Sequence, residues 1–287
     1  MKILKFIFGG LGLLGGILAF CLLSFGDGRF HVFVLDIGQG DSILIQTPLM
    51  EHILIDGGPD DKVLSAMSRV LPFYERTIDA VVLTHPHADH VNGLVEVLKR
   101  YQVKQVMITG VDSKLAAYGT FLDLIRQKKI VVLLADGSHD YQIGNVVLDM
   151  LYPFQSLQGQ VLKNWNNSSI VFRAIYGKRI FYFSGDLEKE KERELVAKNL
   201  DLHADFLKAG HHGSKTSSTE PFLDRVHPKF AAISCGVANK FHHPHPSTLA
   251  HLAQHGIKTY RTDLDGTVEA VSDGNSLRVK LFGKSDS

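Results

Sequence analysis

Thr84-His85-Pro86-His87-Ala88-Asp89-His90 stands directly after an apolar, β-branched segment, Ala80–Leu83, and directly before a segment with helical spacing, Val91–Tyr101. Residues 85–90 therefore hold four side chains that can bind a cation, at the carboxyl end of a buried strand. His85 and His87 are two apart, so in an extended chain they project to the same side and can clamp one ion. Asp89 and His90, at the turn into the helix, can face a second. Imidazole together with carboxylate suits zinc, with manganese or iron as alternatives. The bland alternative makes Asp89 a helix N-cap among surface histidines. The density of ligand types weighs against it. Isolated histidines such as His52, His139 and His251 carry no comparable signal.

Working outward, the chain alternates strands with helices. His31–Asp36, Ser42–Gln46 and His52–Ile55 read as an opening meander, broken at Asp56-Gly57-Gly58-Pro59. Helices are expected at Asp61–Leu71, Val91–Tyr101 and Lys114–Lys128, with strands at Ala80–Leu83, Gln105–Ile108 and Ile130–Leu134 between and after them. A second series follows. It has strands Val146–Leu151, Ile170–Ile175 and Arg179–Phe183, helix Glu188–Asn199, strand Phe206–Lys208 and a helix near Glu220–Val226. Strand Phe230–Ser234, helix Thr248–His255 and strands near Val268 and Leu277 close it. Two strand-rich halves, each closed by helices, predict an α/β (α+β) protein of two packed sheets with helices outside. No linker divides residues 29–287, which read as one domain.

Composition narrows the function classes. Of 287 residues, 45% are hydrophobic and 21% charged, which excludes a disordered or collagen-like chain. Lys plus Arg is 31 against 30 for Asp plus Glu, a net charge of +1, so nothing global argues for a polyanionic partner. The two cysteines exclude a disulfide scaffold. Histidine is the unusual residue: eight of the 15 fall at His85/His87/His90, His211/His212 and His242/His243/His245.

Residues 1–28 have a different character. Phe6–Phe25 is free of charge and follows Lys2 and Lys5. As a helix it would reach about 30 Å, enough to cross a membrane. It is expected to be an uncleaved anchor, with the lysines inside and the body extracytoplasmic. A cleaved signal, giving a secreted protein, is the alternative, and a core helix is disfavoured by Gly9-Gly10, Gly12 and Gly15-Gly16.

The run His85-x-His87-x-Asp89-His90 resembles the signature of the metallo-β-lactamase superfamily. That resemblance implies an αβ/βα sandwich with a dinuclear metal site. On it, Asp56 matches an early aspartate supporting the metal loop, Asp186 in Ser184-Gly185-Asp186 the bridging carboxylate, and His211 the last histidine ligand. Asp36-Ile37-Gly38-Gln39-Gly40-Asp41-Ser42, the Leu207–Ser214 run, His243-Pro244-His245-Pro246 and Tyr260–Gly266 are similar to the extracytoplasmic domain of ComEC competence proteins. The multi-pass channel of those proteins has no counterpart here, so a hydrolase domain on one anchor helix is implied. Asp36 joins Asp56 as expected support. Where many relatives carry a further histidine ligand, this chain has Asn164-Trp165-Asn166-Asn167-Ser168-Ser169.

The ligand set expected for two divalent ions, zinc or manganese, is therefore His85, His87, Asp89, His90, Asp186 and His211. The His85/His87 ion would be completed by water or Asn166. Two cations bridged by Asp186 would acidify a shared water beside a phosphate. Besides Asp89 and Asp186, catalytic roles are open to Asp41, His212, His243 and His245, in proton transfer or phosphate binding, and His243 or His245 could instead complete the metal shell. Ser214, Lys215, Asn166 and Asn167 are candidates for substrate binding. The resemblance implies a nuclease or phosphodiesterase acting on extracellular DNA. Alternatives are hydrolysis of an envelope phosphodiester, lactam or thioester, and a non-catalytic DNA-binding module.

Overall fold

The computed structural model describes residues 26–283. The expected anchor at residues 6–25 lies outside them; among the described residues no helix is long and apolar enough to cross a membrane.

The opening strands β1 (Phe30–Val34), β2 (Ile43–Gln46) and β3 (His52–Ile55) form the antiparallel meander that the alternating residues predict. Then β4 (Thr77–Val82), β5 (Gln102–Ile108) and β6 (Val131–Leu134) add in parallel to β3. Between them run α1 (Lys62–Val70), α2 (Ala88–Arg100) and α3 (Ala116–Lys128). The closing hairpin β14 (Val268–Ser272) and β15 (Leu277–Leu281) returns to β1 and completes an eight-stranded sheet.

The second sheet has seven strands. β7 (Tyr141–Ile143), β8 (Val146–Tyr152), β9 (Val171–Tyr176) and β10 (Arg179–Phe183) run antiparallel. β11 (Phe206–Lys208), β12 (Phe230–Ile233) and β13 (Lys258–Arg261) extend it in parallel. Helices α4 (Lys189–Ala197), α5 (Glu220–Val226) and α6 (Pro246–Gln254) make those crossovers, and α7 (Thr262–Asp265) is one turn.

Three apolar layers hold this together. Phe30, Val32 and Val34 point between the sheets and meet Phe172, Phe181 and Phe183. Their alternates Phe33 and Leu35 face outward onto Val63 and Met67 of α1 and Leu94 and Leu98 of α2. On the far side Tyr182, Leu207 and Ala231 pack against Leu195, Phe222 and Leu252. Helix spacing follows from this: Val63, Ala66 and Met67, and Val91, Leu94, Val95 and Leu98, repeat at three and four residues along one face. Stacking helix, sheet, sheet and helix is the sandwich the alternation predicts. Two strands escape that reading. β13 buries only Tyr260 and is recruited by pairing with β12, and β7 is three residues long.

Candidate metal centre

β3 and β4 end side by side, with Ile55 opposite Val82, so Asp56 and the Thr84–His90 run leave the sheet together. Gly57 and Gly93 let α2 close onto the loop after β3; a Cβ on Gly93 would stand 1.8 Å from the Gly57 carbonyl oxygen. That approach brings His90 to Asp56. The buried Asp56 accepts the Thr84 N–H at 2.8 Å, the Thr84 hydroxyl at 2.7 Å and the His90 Nδ1–H at 2.8 Å. Tying His90 through Nδ1 leaves its Nε2 as the free donor atom, 3.3 Å from Asp186 Oδ2.

Asp186 comes from the loop after β10, where its N–H donates to Ser169 Oγ at 3.0 Å. Ser169 Oγ also lies 3.3 Å from His85 Nδ1, and Thr84 Oγ1 lies 3.1 Å from the same nitrogen. Thr84 gives its own proton to Asp56, the two hydroxyls hold the Nδ1 side of the His85 ring, and Nε2 turns toward His87 Nδ1, 2.9 Å away.

Among the described residues two groups of ligand atoms result, each within 4.8 Å of one another, His85, His87 and Asp186, and Asp89, His90 and His212, and a third group, Asp41, His90 and Asp186, overlaps them both. His212 Nε2 is 3.4 Å from Asp89 Oδ2 and 3.4 Å from Asp186 Oδ2. Donor atoms about 2.0–2.1 Å from a tetrahedral zinc stand about 3.3 Å apart, so these separations suit a shared cation. His90 Nε2, His212 Nε2 and Asp186 Oδ1 are buried without a hydrogen-bond partner, as atoms reserved for an ion would be. The residues fit a dinuclear divalent site with Asp186 common to both halves.

Charge points the same way. Burial alone would lower His90 and His212, but Asp186 with Asp56, and Asp186 with Asp41, outweigh it and hold both imidazoles well above their ordinary range. Burial opposes ionisation of Asp186, yet His212 and His90 keep it well below the usual carboxylate value. His85 goes the other way, pushed well down by burial and by His90. Without cations the cluster thus gathers protons on the imidazoles facing its carboxylates, and metal binding would displace them.

The structure exchanges the expected places of His211 and His212. Both have left-handed backbones, at φ 48° and 54°, and Gly213 follows at 79°. This turn swings His212 inward onto Asp89 and Asp186. His211 stays partly exposed, 3.8 Å from Asp186, with Nδ1 3.2 Å from Thr216 Oγ1 and 3.5 Å from Glu188. Among the described residues His212, rather than His211, falls in a group of ligand atoms. Consecutive non-glycine residues in this region cost energy, and such strain collects at functional sites.

Asp41 also takes a different place. It is sealed from solvent, with Oδ2 2.8 Å from Lys208 Nζ and Oδ1 3.2 Å from His212 Nδ1, which itself donates to the Ser234 carbonyl at 3.0 Å. Its Oδ1 has no hydrogen-bond partner and lies close to His212, and a carboxylate oxygen of Asp41 groups with the ligand atoms of His90 and Asp186, so it belongs to the buried side of the centre. His245 is the N-cap of α6, its Nδ1 accepting the Ser247 N–H at 3.2 Å, so that nitrogen is committed to the helix. His243 does reach the centre, its ring 5.6 Å from His211 and 6.4 Å from His212.

Ser214 Oγ is taken up by Thr216 within its turn, whereas Lys215 is exposed and forms no ion pair among the described residues. Asn167 Oδ1 accepts the Glu188 N–H at 3.1 Å ahead of α4, a structural task. Asn166 donates to Glu188 at 3.1 Å and keeps its Oδ1 buried and unpartnered. Asp36 is exposed, and among the described residues its carboxylate accepts the Gly38 N–H alone, at 3.5 Å, so it supports a turn away from the ligand groups.

Lys208, Ser169 and Glu188 received no role from the sequence. Lys208 carried a signal, being a charge inside the otherwise apolar Phe206–Ala209 segment. Glu188 had none: its link to Asn164, Asn166 and Thr216 appears only in three dimensions.

Comparison with known proteins agrees with this geometry. The sequence is 32% identical over 266 residues to ComE operon protein 3 of Bacillus subtilis, covering 87% of this chain and 33% of that protein. It is 31% identical over 264 residues to competence protein ComA of Neisseria gonorrhoeae, covering 90% and 34%. The chain thus spans about a third of the length of these curated relatives. Among solved structures, the metallo-β-lactamase fold protein YhfI of Bacillus subtilis superposes with a TM-score of 0.51 at 12% identity, over 80% of this chain and 95% of that one, a likeness of fold alone. The sequence model described as the metallo-β-lactamase superfamily matches residues 35–237, the span that supplies both ligand groups, and the chain belongs to that superfamily.

Proposed function

We propose that the chain is a nucleic-acid phosphodiesterase working outside the cytoplasm with two divalent cations, zinc in the first place and manganese as the alternative. Asp186 carries this reading: one carboxylate grouped with His85 and His87 and also 3.3–3.4 Å from Nε2 of His90 and His212. Cations held there would supply an acidified water and neutralise phosphoryl oxygens. The chain's own residues do the rest. Asp56 and the Ser234 carbonyl fix the rings of His90 and His212, Asp41 sets its charge beside His212 Nδ1, His243 stands beside the centre for substrate, and the exposed Lys215 offers a cation to phosphate. Superfamily membership supports hydrolysis, and likeness to a protein named for competence supports a nucleic-acid substrate.

The test is turnover by the purified chain of single-stranded DNA and of bis-p-nitrophenyl phosphate, with Zn²⁺ or Mn²⁺ added. Both should be hydrolysed, and chelation should stop both. Hydrolysis of the small diester alone would favour an envelope diester such as phosphorylcholine on teichoic acid. Salt-sensitive DNA binding without any cleavage would make the protein a binding module.

Topology is tested separately. With Lys2 and Lys5 before the apolar run Phe6–Phe25, a reporter fused after residue 28 should be active only outside the cytoplasm. Activity inside would reverse the proposed orientation.

A further inference from the structure

Ring contacts run unbroken across the metal centre and end in an aromatic residue on each side. At one end Trp165 lies 5.6 Å from His87. The clustered histidines continue the row, at 4.7 Å from His87 to His85, 4.1 Å to His90 and 5.4 Å to His212. At the other end His243 lies near-parallel to His212 at 27°, and Phe241 near-parallel to His243 at 25° and 5.8 Å. Phe241 is 51% exposed, and the Lys240 ammonium sits 5.0 Å from its ring centre. Lys240 forms no ion pair among the described residues.

The loop that presents Phe241 is built, not slack. Asn239 Oδ1 accepts the His243 N–H at 2.9 Å, and its Nδ2 donates to the carbonyls of Gly236 at 2.9 Å and His243 at 2.5 Å. Ala238 and His242 are held in left-handed conformations, φ 48° and 56°. An exposed ring costs solvation, and strained backbone costs more, so a fixed loop that displays a half-exposed phenyl ring, with an exchangeable lysine ammonium over it, has a ligand-facing character.

We infer that Phe241, with Lys240, is a stacking subsite for an unpaired nucleobase next to the scissile phosphodiester, and that Trp165 is its counterpart beyond the other half of the centre. Every base presents a π-face, so such a platform holds a strand without reading its sequence, and a neighbouring lysine takes the phosphate. Bases stacked within a duplex cannot offer their faces to it. The subsite therefore selects single-stranded or frayed nucleic acid. This rests on the nucleic-acid reading above and names how that substrate is gripped.

The experiment measures binding by the purified full chain in EDTA, so that turnover plays no part. The probe is a short single-stranded deoxyoligonucleotide carrying 2-aminopurine, whose fluorescence falls on stacking. Phe241→Ala should weaken binding about ten-fold and remove the quenching, Phe241→Trp should restore both, and Phe241→Leu should restore neither. With an abasic residue at that position, wild type and Phe241→Ala should bind alike. Trp165→Ala should act in the same way on a 2-aminopurine at the opposite end. No binding by wild type, or an equal loss by Phe241→Ala on the abasic strand, overturns the inference. If wild type hydrolyses DNA and Phe241→Ala changes nothing, the stacking subsite falls and the phosphodiesterase reading stands. If the base stacks on Phe241 but no diester is hydrolysed, the subsite stands and the phosphodiesterase reading falls.

Discussion

Asp186→Asn should reduce hydrolysis of both DNA and bis-p-nitrophenyl phosphate to near the uncatalysed rate, a loss of more than about a hundred-fold, while the chain stays folded. The carboxylate belongs to the first set of ligands and also faces the second, standing 3.8 Å from His85 Nε2, 3.3 Å from His90 Nε2 and 3.4 Å from His212 Nε2. An amide of the same shape keeps the hydrogen-bonded loop, because the link to Ser169 runs through the Asp186 backbone N–H. It removes the negative charge that would hold two cations near each other. Metal content by mass spectrometry should fall along with the rate, and the circular dichroism spectrum should match wild type. Full activity with an unaltered spectrum would mean that Asp186 is not the bridge. Lost activity with full metal content would give it a role in the chemistry and none in holding ions.

How much of this was legible before the structure depends on whether the deciding interaction is local. The His85–His90 run is local: its spacing fixes which side chains share a face, and both ligand groups draw on it. The sheets follow from alternation, since Phe30, Val32 and Val34 face one layer and Phe33 and Leu35 another. The choice between His211 and His212 was not legible. It turns on two left-handed backbone conformations, and adjacent histidines look equivalent until φ is known. The setting of Asp41 was hidden for a different reason. Its environment is set by Lys208, 167 residues away in sequence, and a carboxylate capped by a buried ammonium does not do the work of one open to substrate. The exposed Phe241 carried no weight in the sequence because single surface aromatics are common; its stacking on His243 gives it meaning.

Lys208→Met should produce the second large effect, and in two measurable quantities. Lys208 and Asp41 are both 1% exposed at the side chain and 2.8 Å apart. Although burial opposes ionisation of Asp41, Lys208 and then His212 hold its carboxyl down to about 2. Removing the ammonium takes away the largest compensation of that buried carboxylate, which should cost about 3–5 kcal/mol of folding stability. Asp41 then escapes the penalty by taking up a proton, and a neutral acid no longer pulls on His212 Nδ1. His212 keeps its bond to the Ser234 carbonyl but loses the anion that raises its basicity as a ligand. Affinity for Zn²⁺ or Mn²⁺ should fall about 10–100-fold, the usual effect of losing such an outer partner. The double variant Lys208→Met/Asp41→Asn separates the two consequences. With neither member of the Lys208–Asp41 pair left charged it should recover much of the stability in denaturant titration, yet bind metal as weakly as the single variant. If metal affinity recovers along with stability, Lys208 serves the fold alone and the chain from Lys208 through Asp41 to His212 does not tune the centre. If it stays low in a stable protein, a lysine 167 residues from its aspartate sets how tightly the second ligand group holds its cation.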